Sequence, residues 1–170
     1  MAEPIDPRLL AAVLDHRERR WQQRMALSRQ CDTLVSLTLC LPLRYRGREE
    51  WKAFLRRQSA EIEKRLSAAG FPVTGRDESD GADGLCLFLL SRGGTELKKA
   101  CVALEEELPG GRFLDIDVTG DEPVSRRDLG LPPRRCFVCG EPAADCVAMR
   151  RHSAKEIDRA IEDALSMMEI

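Results

Sequence analysis

Apolar residues recur along this chain with two different periods. Between Thr33 and Leu41 they alternate: Val35, Leu37, Leu39 and Leu41 fall on one side, and Ser36, Thr38 and Cys40 on the other. That period of two predicts a half-buried β-strand. From Glu49 to Ala69 the period is helical, with Trp51, Phe54, Leu55, Ile62 and Leu66 on one stripe and Gly70 as the stop, so these residues are assigned to the core. A basic helix from about Pro7 to Gln30 precedes the first strand. A strand near Phe71 to Arg76, a turn containing Asp77 to Asp83, and a strongly apolar strand from Leu85 to Leu90 come after the long helix. Thr95 is placed as the cap of a second helix carrying Leu97, Cys101, Leu104 and Leu108. Alternation then returns from Arg112 to Val118, where Leu114, Ile116 and Val118 face one way and Asp115 and Asp117 the other.

The order β-α-β-β-α-β, with a hairpin strand and a C-terminal helix after it, predicts an α+β protein with a ferredoxin-like core. The first and last core strands would be neighbours, helices would cover one face, and Ser36, Thr38, Asp115 and Asp117 would share the open face. One domain spanning 1–170 is expected, with 131–170 a Cys/His metal-binding tail and helix packed on it.

The acidic strand carries the first candidate chemistry. Asp115 and Asp117 stand on one face about 6 to 7 Å apart at Cα. Carboxylates so close repel unless a cation or a guanidinium lies between them, so the pair is a candidate Mg²⁺ site beside a phosphate. Acidic outer residues on a half-buried strand are also ordinary, and the residues beyond Val118 decide between these readings. Gly120-Asp121 is read as a two-residue hairpin turn, placing Arg126 opposite Asp115 and Val124 opposite Asp117. Arg127, Asp128, Arg134 and Arg135 add charge nearby, and guanidinium forks match phosphate oxygens. Cys136-x-x-Cys139, six residues, Cys146, five residues and His152 offer four ligands of the kind zinc takes. Four ligands leave no open position, so this Zn²⁺ is read as structural. Ser153 to Glu156 forms a capping box that starts the last helix.

Composition narrows the setting. A formal net charge of −2 gives no bulk signal for nucleic acid or membrane, and no apolar run approaches 18 residues. Seven cysteines, an odd number, with no secretory pattern near Met1 point to a reducing, cytoplasmic location. Cys31, Cys40, Cys86 and Cys101 lack ligand spacing and are expected as buried thiols.

Gly111-Arg112, Asp115-Ile-Asp117-Val, Ser125-Arg-Arg-Asp128, Leu131-Pro-Pro-Arg-Arg-Cys136 and the C-x2-C-x6-C-x5-H spacing together resemble one family, the holo-acyl-carrier-protein synthase of citrate lyase, also called apo-citrate lyase phosphoribosyl-dephospho-CoA transferase. Val35-Ser-Leu-Thr38 and the basic helix around Arg17-Glu-Arg19 fit the same resemblance, which extends over most of the chain; the loop Thr119-Gly-Asp-Glu-Pro123 is shorter than the family's. The resemblance implies transfer of phosphoribosyl-dephospho-CoA from its triphosphoribosyl precursor to a serine of the acyl carrier subunit of citrate lyase, with release of diphosphate. It also implies Mg²⁺ on Asp115 and Asp117, and Arg126, Arg127, Arg134 and Arg135 around the triphosphate or departing diphosphate. Asp128 would orient an arginine or deprotonate the carrier serine, and Arg112, Ser36, Thr38 and Arg19 would contact substrate.

Two rival readings stay open on sequence alone. The same reaction could serve the malonate decarboxylase carrier, or the chain could be a zinc-ribbon regulator gripping nucleic acid through its arginines. Carboxylates beside those arginines weaken the second rival, because they would oppose binding to a phosphate backbone. His16 is read as an exposed residue or a carrier contact. The short basic loop Arg44, Arg46 and Arg48 around Tyr45, with the first helix, offers a docking surface for an acidic carrier, or simply solubility.

Overall fold

In a computed structural model of the chain, the described residues are 6–120 and 123–168. Helix α1 (Pro7–Ser28) opens on Asp6, whose side chain accepts from the Arg8 N–H, and leads into strand β1 (Thr33–Leu39). A one-turn helix α2 (Leu43–Arg46) and the long α3 (Glu49–Ala68) come next. Then come β2 (Gly75–Ser79), β3 (Cys86–Ser91), α4 (Gly94–Glu107), a 3₁₀ turn at Gly111–Phe113 and β4 (Leu114–Thr119). The two-residue β5 (Pro123–Val124), a short α5 (Ala143–Ala148) and α6 (Ala154–Met167) complete the order.

The strands form one sheet in the order β2-β3-β1-β4-β5, every pair antiparallel. The first and last core strands, β1 and β4, are indeed neighbours. Val35, Leu37 and Leu39 of β1 and Leu114, Ile116 and Val118 of β4 pack with Trp51, Phe54 and Ile62 of α3 and Leu97 and Cys101 of α4. Trp51 meets Phe54 edge-on at 5.4 Å and Phe113 at 5.2 Å, and Phe113 meets Phe137 at 5.1 Å. This aromatic chain runs from α3 to the Cys/His segment. Each such pair adds about 0.5–1.5 kcal/mol beyond its area burial. Gly111 permits the close pass between α4 and β4, since a Cβ there would lie 2.2 Å from the Glu105 carbonyl oxygen.

Several expectations are corrected. The opposite face of the sheet is not open: Leu27 of α1 packs on Leu34, Cys86 and Phe88, so α1 roofs that face. Residues 75–79, read as mostly turn, form an edge strand with almost no apolar content. Main-chain pairing to β3 holds it, with Arg76 paired to Glu63 and Arg56 to Glu78, a source of order that hydrophobic alternation does not report. Thr95 does not cap α4. The N-cap is Gly93, and the orphan Gly94 N–H donates to Thr33 Oγ1 at 3.0 Å across the sheet. The hairpin register is also different, with Val118 opposite Val124 and Thr119 opposite Pro123, so neither Arg126 nor Val124 faces an aspartate. Asp121 of the expected turn lies outside the described residues.

His16, expected at the surface, is 1% exposed. Its Nδ1 accepts from the Asp83 N–H at 3.2 Å and its Nε2 lies 3.2 Å from Ser79 Oγ, which fixes a neutral ring protonated at Nε2. Burial, and then the charges of Arg20 and Arg19, lower its pKa below 6.5. Of the thiols expected to be buried, Cys86 and Cys101 are, with pKa values pushed up to about 12 by burial, whereas Cys31 and Cys40 are half-buried. Among the described residues, no helix is long and apolar enough to cross a membrane.

Candidate functional site

Strand register assembles the centre of the site. Across β1 and β4, Ser36 is the Cα partner of Asp117 and Thr38 that of Asp115, so all four stand on the face under α1. They line a cavity of about 480 Å³ together with Arg17, Arg20 and Arg24 of α1 and with Arg46. Asp115, Asp117 and Arg24 also line a second cavity of about 1010 Å³, between β4 and the segment 124–134. The aspartates therefore sit where two lobes of one groove meet.

The first lobe is organised by Asp83, whose side chain has no solvent exposure. Arg17 Nε and Nη2 donate to its two oxygens at 3.0 Å each, Arg20 Nη2 at 2.9 Å and Arg46 Nη1 at 3.2 Å. Burial alone would raise the carboxyl pKa, but the Arg17 hydrogen bonds and the Arg20 and Arg46 charges outweigh it and hold the pKa below 3.8. Arg24 donates to Thr119 Oγ1.

The second lobe is bounded by a strand edge that side chains complete. Because β5 pairs only with the end of β4, the outward groups of Ile116 lack a strand partner. Glu105 Oε1 accepts from the Ile116 N–H at 2.8 Å, and Lys98 Nζ donates to the Ile116 carbonyl at 2.6 Å. Both side chains belong to buried residues, 4% and 5% exposed. Glu105 also holds Arg126 and, at 3.0 Å, Arg134 Nη2, which in turn donates to Asp115 Oδ1 at 2.8 Å. Burial works against the Arg134 charge, but Glu105 and Asp115 overcome it and raise its pKa. Arg134 thus takes the place beside Asp115 that the sequence pattern assigned to Arg126.

The remaining predicted residues divide. Arg127 lines the second lobe. Asp128 is occupied by its own turn, accepting from Ser125 N–H at 2.9 Å and Ser125 Oγ at 2.6 Å, which lowers its pKa. It makes no ion pair among the described residues, and a carboxylate held this way is a weaker base, so neither expected role for it has support in the geometry. Arg112 and Arg135 line a separate recess of about 260 Å³ behind Glu105 and Arg126. Arg19 is exposed and pairs with Asp15 one helical turn back. In the basic loop, Arg46 turns inward to Asp83, while Arg44 pairs with Asp158 and Arg48 with Glu50 around the Tyr45 ring. Arg44 and Arg48 thus each have a carboxylate partner, and Arg46 shares Asp83 with two other arginines.

The Cys/His segment closes into a compact ligand set. The ligand atoms of Cys136, Cys139, Cys146 and His152 all lie within 4.8 Å of one another, with Cys136 Sγ to His152 Nε2 and Cys139 Sγ to Cys146 Sγ both 3.5 Å. A tetrahedral zinc with bonds of about 2.0 to 2.3 Å needs spacings of this size. The knuckle is folded by main-chain bonds, Cys136 N–H to Glu141 O at 2.6 Å and Gly140 N–H to Cys136 O at 2.9 Å, with Gly140 at φ 80°. These residues could bind a metal such as zinc. The knuckle starts two residues after Arg134, so it anchors the guanidinium that meets Asp115. The capping box Ser153–Glu156 starts α6, and Ile161, fully buried, with the Tyr45 Oη–Asp158 bond of 2.8 Å fastens that helix to the core.

A profile of the apo-citrate lyase phosphoribosyl-dephospho-CoA transferase family matches residues 9–168. The chain belongs to this family. An Escherichia coli relative named apo-citrate lyase phosphoribosyl-dephospho-CoA transferase is 29% identical over 154 residues, covering 88% of this chain and 83% of that one, and a Shigella boydii relative of the same name aligns equally. A Streptococcus pyogenes relative, named as a probable enzyme of that kind, is 43% identical over 75 residues, which cover 41% of this chain and only 39% of the streptococcal one.

Sequence reasoning missed Asp83, Glu105, Lys98 and the inward role of Arg17, Arg20, Arg24 and Arg46. One signal was available: Lys98 and Glu105 lie seven residues apart, two helical turns, beside the apolar stripe of α4, where charged residues need partners.

Proposed function

We propose that this member of the family transfers phosphoribosyl-dephospho-CoA from triphosphoribosyl-dephospho-CoA to a serine of the citrate lyase acyl carrier subunit, releasing diphosphate, in the cytoplasm. The observation that carries the reading is the placement of Asp115 and Asp117 beside Ser36 and Thr38 at the junction of two arginine-lined lobes. Nucleotidyl transfer at a phosphorus needs this combination, since catalysis there rests on positioning and on stabilising charge rather than on covalent chemistry by the protein. Two carboxylates plus substrate phosphates are a usual ligand set for Mg²⁺, and Asp117 with the free oxygen of Asp115 fits it. When bound, that ion would neutralise charge building on the phosphate oxygens. Arg134, braced by Glu105, fixes the orientation of Asp115. The strand order β2-β3-β1-β4 supports reading the core as ferredoxin-like, with 131–170 a zinc-stapled tail of the same domain.

Intact-mass spectrometry of the apo acyl carrier subunit, incubated with this protein, Mg²⁺ and triphosphoribosyl-dephospho-CoA, tests the reaction. The carrier should gain the mass of phosphoribosyl-dephospho-CoA, and Asp117→Asn should slow the gain by about 10² to 10³-fold. Loading at the wild-type rate by Asp117→Asn would refute the metal role, and no gain with the wild-type protein would refute the reaction.

A further inference from the structure

The two lobes carry charge in different states. Under α1, three guanidinium groups, Arg17, Arg20 and Arg46, share the single buried carboxylate of Asp83, whose two oxygens are filled by four N–H donors. Arg24 makes no ion pair among the described residues and lines both this cavity and the larger one, at their junction. Ser36, 5% exposed, lines that cavity, and its buried Oγ has no hydrogen-bond partner among the described residues. A buried hydroxyl is normally satisfied, so this one awaits an acceptor or donor from outside the chain. On the other side, Arg126 is balanced by Glu105 and Glu106 and Arg134 by Glu105 and Asp115, while Arg127 is exposed and is held in place by no ion pair among the described residues. The larger lobe also presents Val118, Val124, Leu131 and Pro133.

A polyanion gains most where guanidinium charge is uncompensated and already held in place, because no side-chain freedom is then lost on binding. We propose that the diphosphate end of the substrate lies in the α1 lobe, on Arg20, Arg24, Arg46 and Ser36, and that the dephospho-CoA end lies in the larger, partly apolar lobe. Asp83 is a positioning residue: it touches no substrate and fixes the arginines that do. The assignment rests on the reaction proposed above. In that reaction the carrier serine oxygen bonds to the α-phosphorus, and the bond from that phosphorus to the bridging oxygen of the diphosphate breaks. Diphosphate leaves with the electron pair, and the serine proton is released to water. In-line displacement then brings the carrier serine from the side of the groove away from α1.

Titration calorimetry of inorganic diphosphate with Mg²⁺ into the full-length protein tests the orientation, alongside carrier loading by intact mass. Arg20→Gln, at a residue that lines the α1 lobe alone, should weaken diphosphate binding about tenfold or more, Arg20→Lys should restore part of it, and Arg127→Gln in the other lobe should change it by less than about twofold. Asp83 keeps Arg17 and Arg46 in both Arg20 variants, and thermal unfolding checks that their fold is retained. If carrier is loaded but diphosphate affinity tracks Arg127 and ignores Arg20, the orientation is overturned and the reaction stands. Indifference to both substitutions overturns the orientation as well. If no carrier is loaded while diphosphate affinity still tracks Arg20, the reaction assignment falls and the anion site stands.

Discussion

The groove is walled by two unlike constructions. On the α1 side a buried carboxylate gathers three arginines that come from α1 and α2, and the cluster keeps an excess of positive charge. On the side of residues 124–152, Arg126 and Arg134 are balanced by Glu105, Glu106 and Asp115, and rigidity comes from the Cys/His knuckle and from Phe137 against Phe113. One wall has more guanidinium than carboxylate charge, and the other uses Arg134 to hold Asp115. An arginine count alone would rank the walls as equals; their carboxylate partners separate them.

Metal removal should have the largest effect, and on one wall only. Structural zinc contributes about 10 kcal/mol or more in small zinc-folded units, so stripping it should loosen the knuckle and, through it, Arg134. The protein as purified should contain one zinc by elemental analysis. After chelation, hydrogen exchange should rise across residues 134–152 while α1 and β1 stay protected. Equal loss of protection on both walls would show that the walls are not independent.

Glu105 allows the comparison to be inverted. Removing one partner of a buried ion pair costs about 3–5 kcal/mol, which is the expected loss in chemical denaturation for Glu105→Ala. Glu105→Gln keeps a side chain able to accept from the Ile116 N–H but leaves Arg126 and Arg134 with less compensation. The larger lobe should then acquire a second diphosphate site in calorimetry. An unchanged single site would show that uncompensated charge is not what selects the α1 lobe.

Legibility in the sequence divides along the same line. The knuckle ligands Cys136, Cys139, Cys146 and His152 lie within 17 residues of one another, so spacing grouped them, and alternation set the faces of the two strands, while the order of elements brought Ser36 and Thr38 beside Asp115 and Asp117. The α1 wall was not legible, because Asp83 meets Arg17 across 66 positions and Arg46 across 37, and no local period links them. The Arg126 register failed for a related reason. The two-residue β5 hands the rest of the β4 edge to Lys98 and Glu105, a tertiary substitution that turn chemistry cannot announce.

The smallest effect concerns the contact of His16 with Asp83 in the α1 wall and reports its sign through pH. His16 is buried and neutral with its pKa lowered, chiefly by burial, so the unfolded chain takes up a proton at a higher pH than the folded one. Its contribution to stability is therefore complete above the ordinary value of 6.5 and declines as pH falls below 6.5 through the lower folded value. Asp83, also lowered, adds a second decline at more acidic pH, below 3.8. One proton linked to unfolding changes stability by up to about 1.4 kcal/mol per pH unit. Chemical denaturation between pH 7 and 5 should show this slope in the wild type. His16→Asn, which can still accept from the Asp83 N–H but does not titrate, should flatten it. Persistence of the slope in His16→Asn would place the titrating group elsewhere, and His16 would then contribute nothing to the acid sensitivity of the wall.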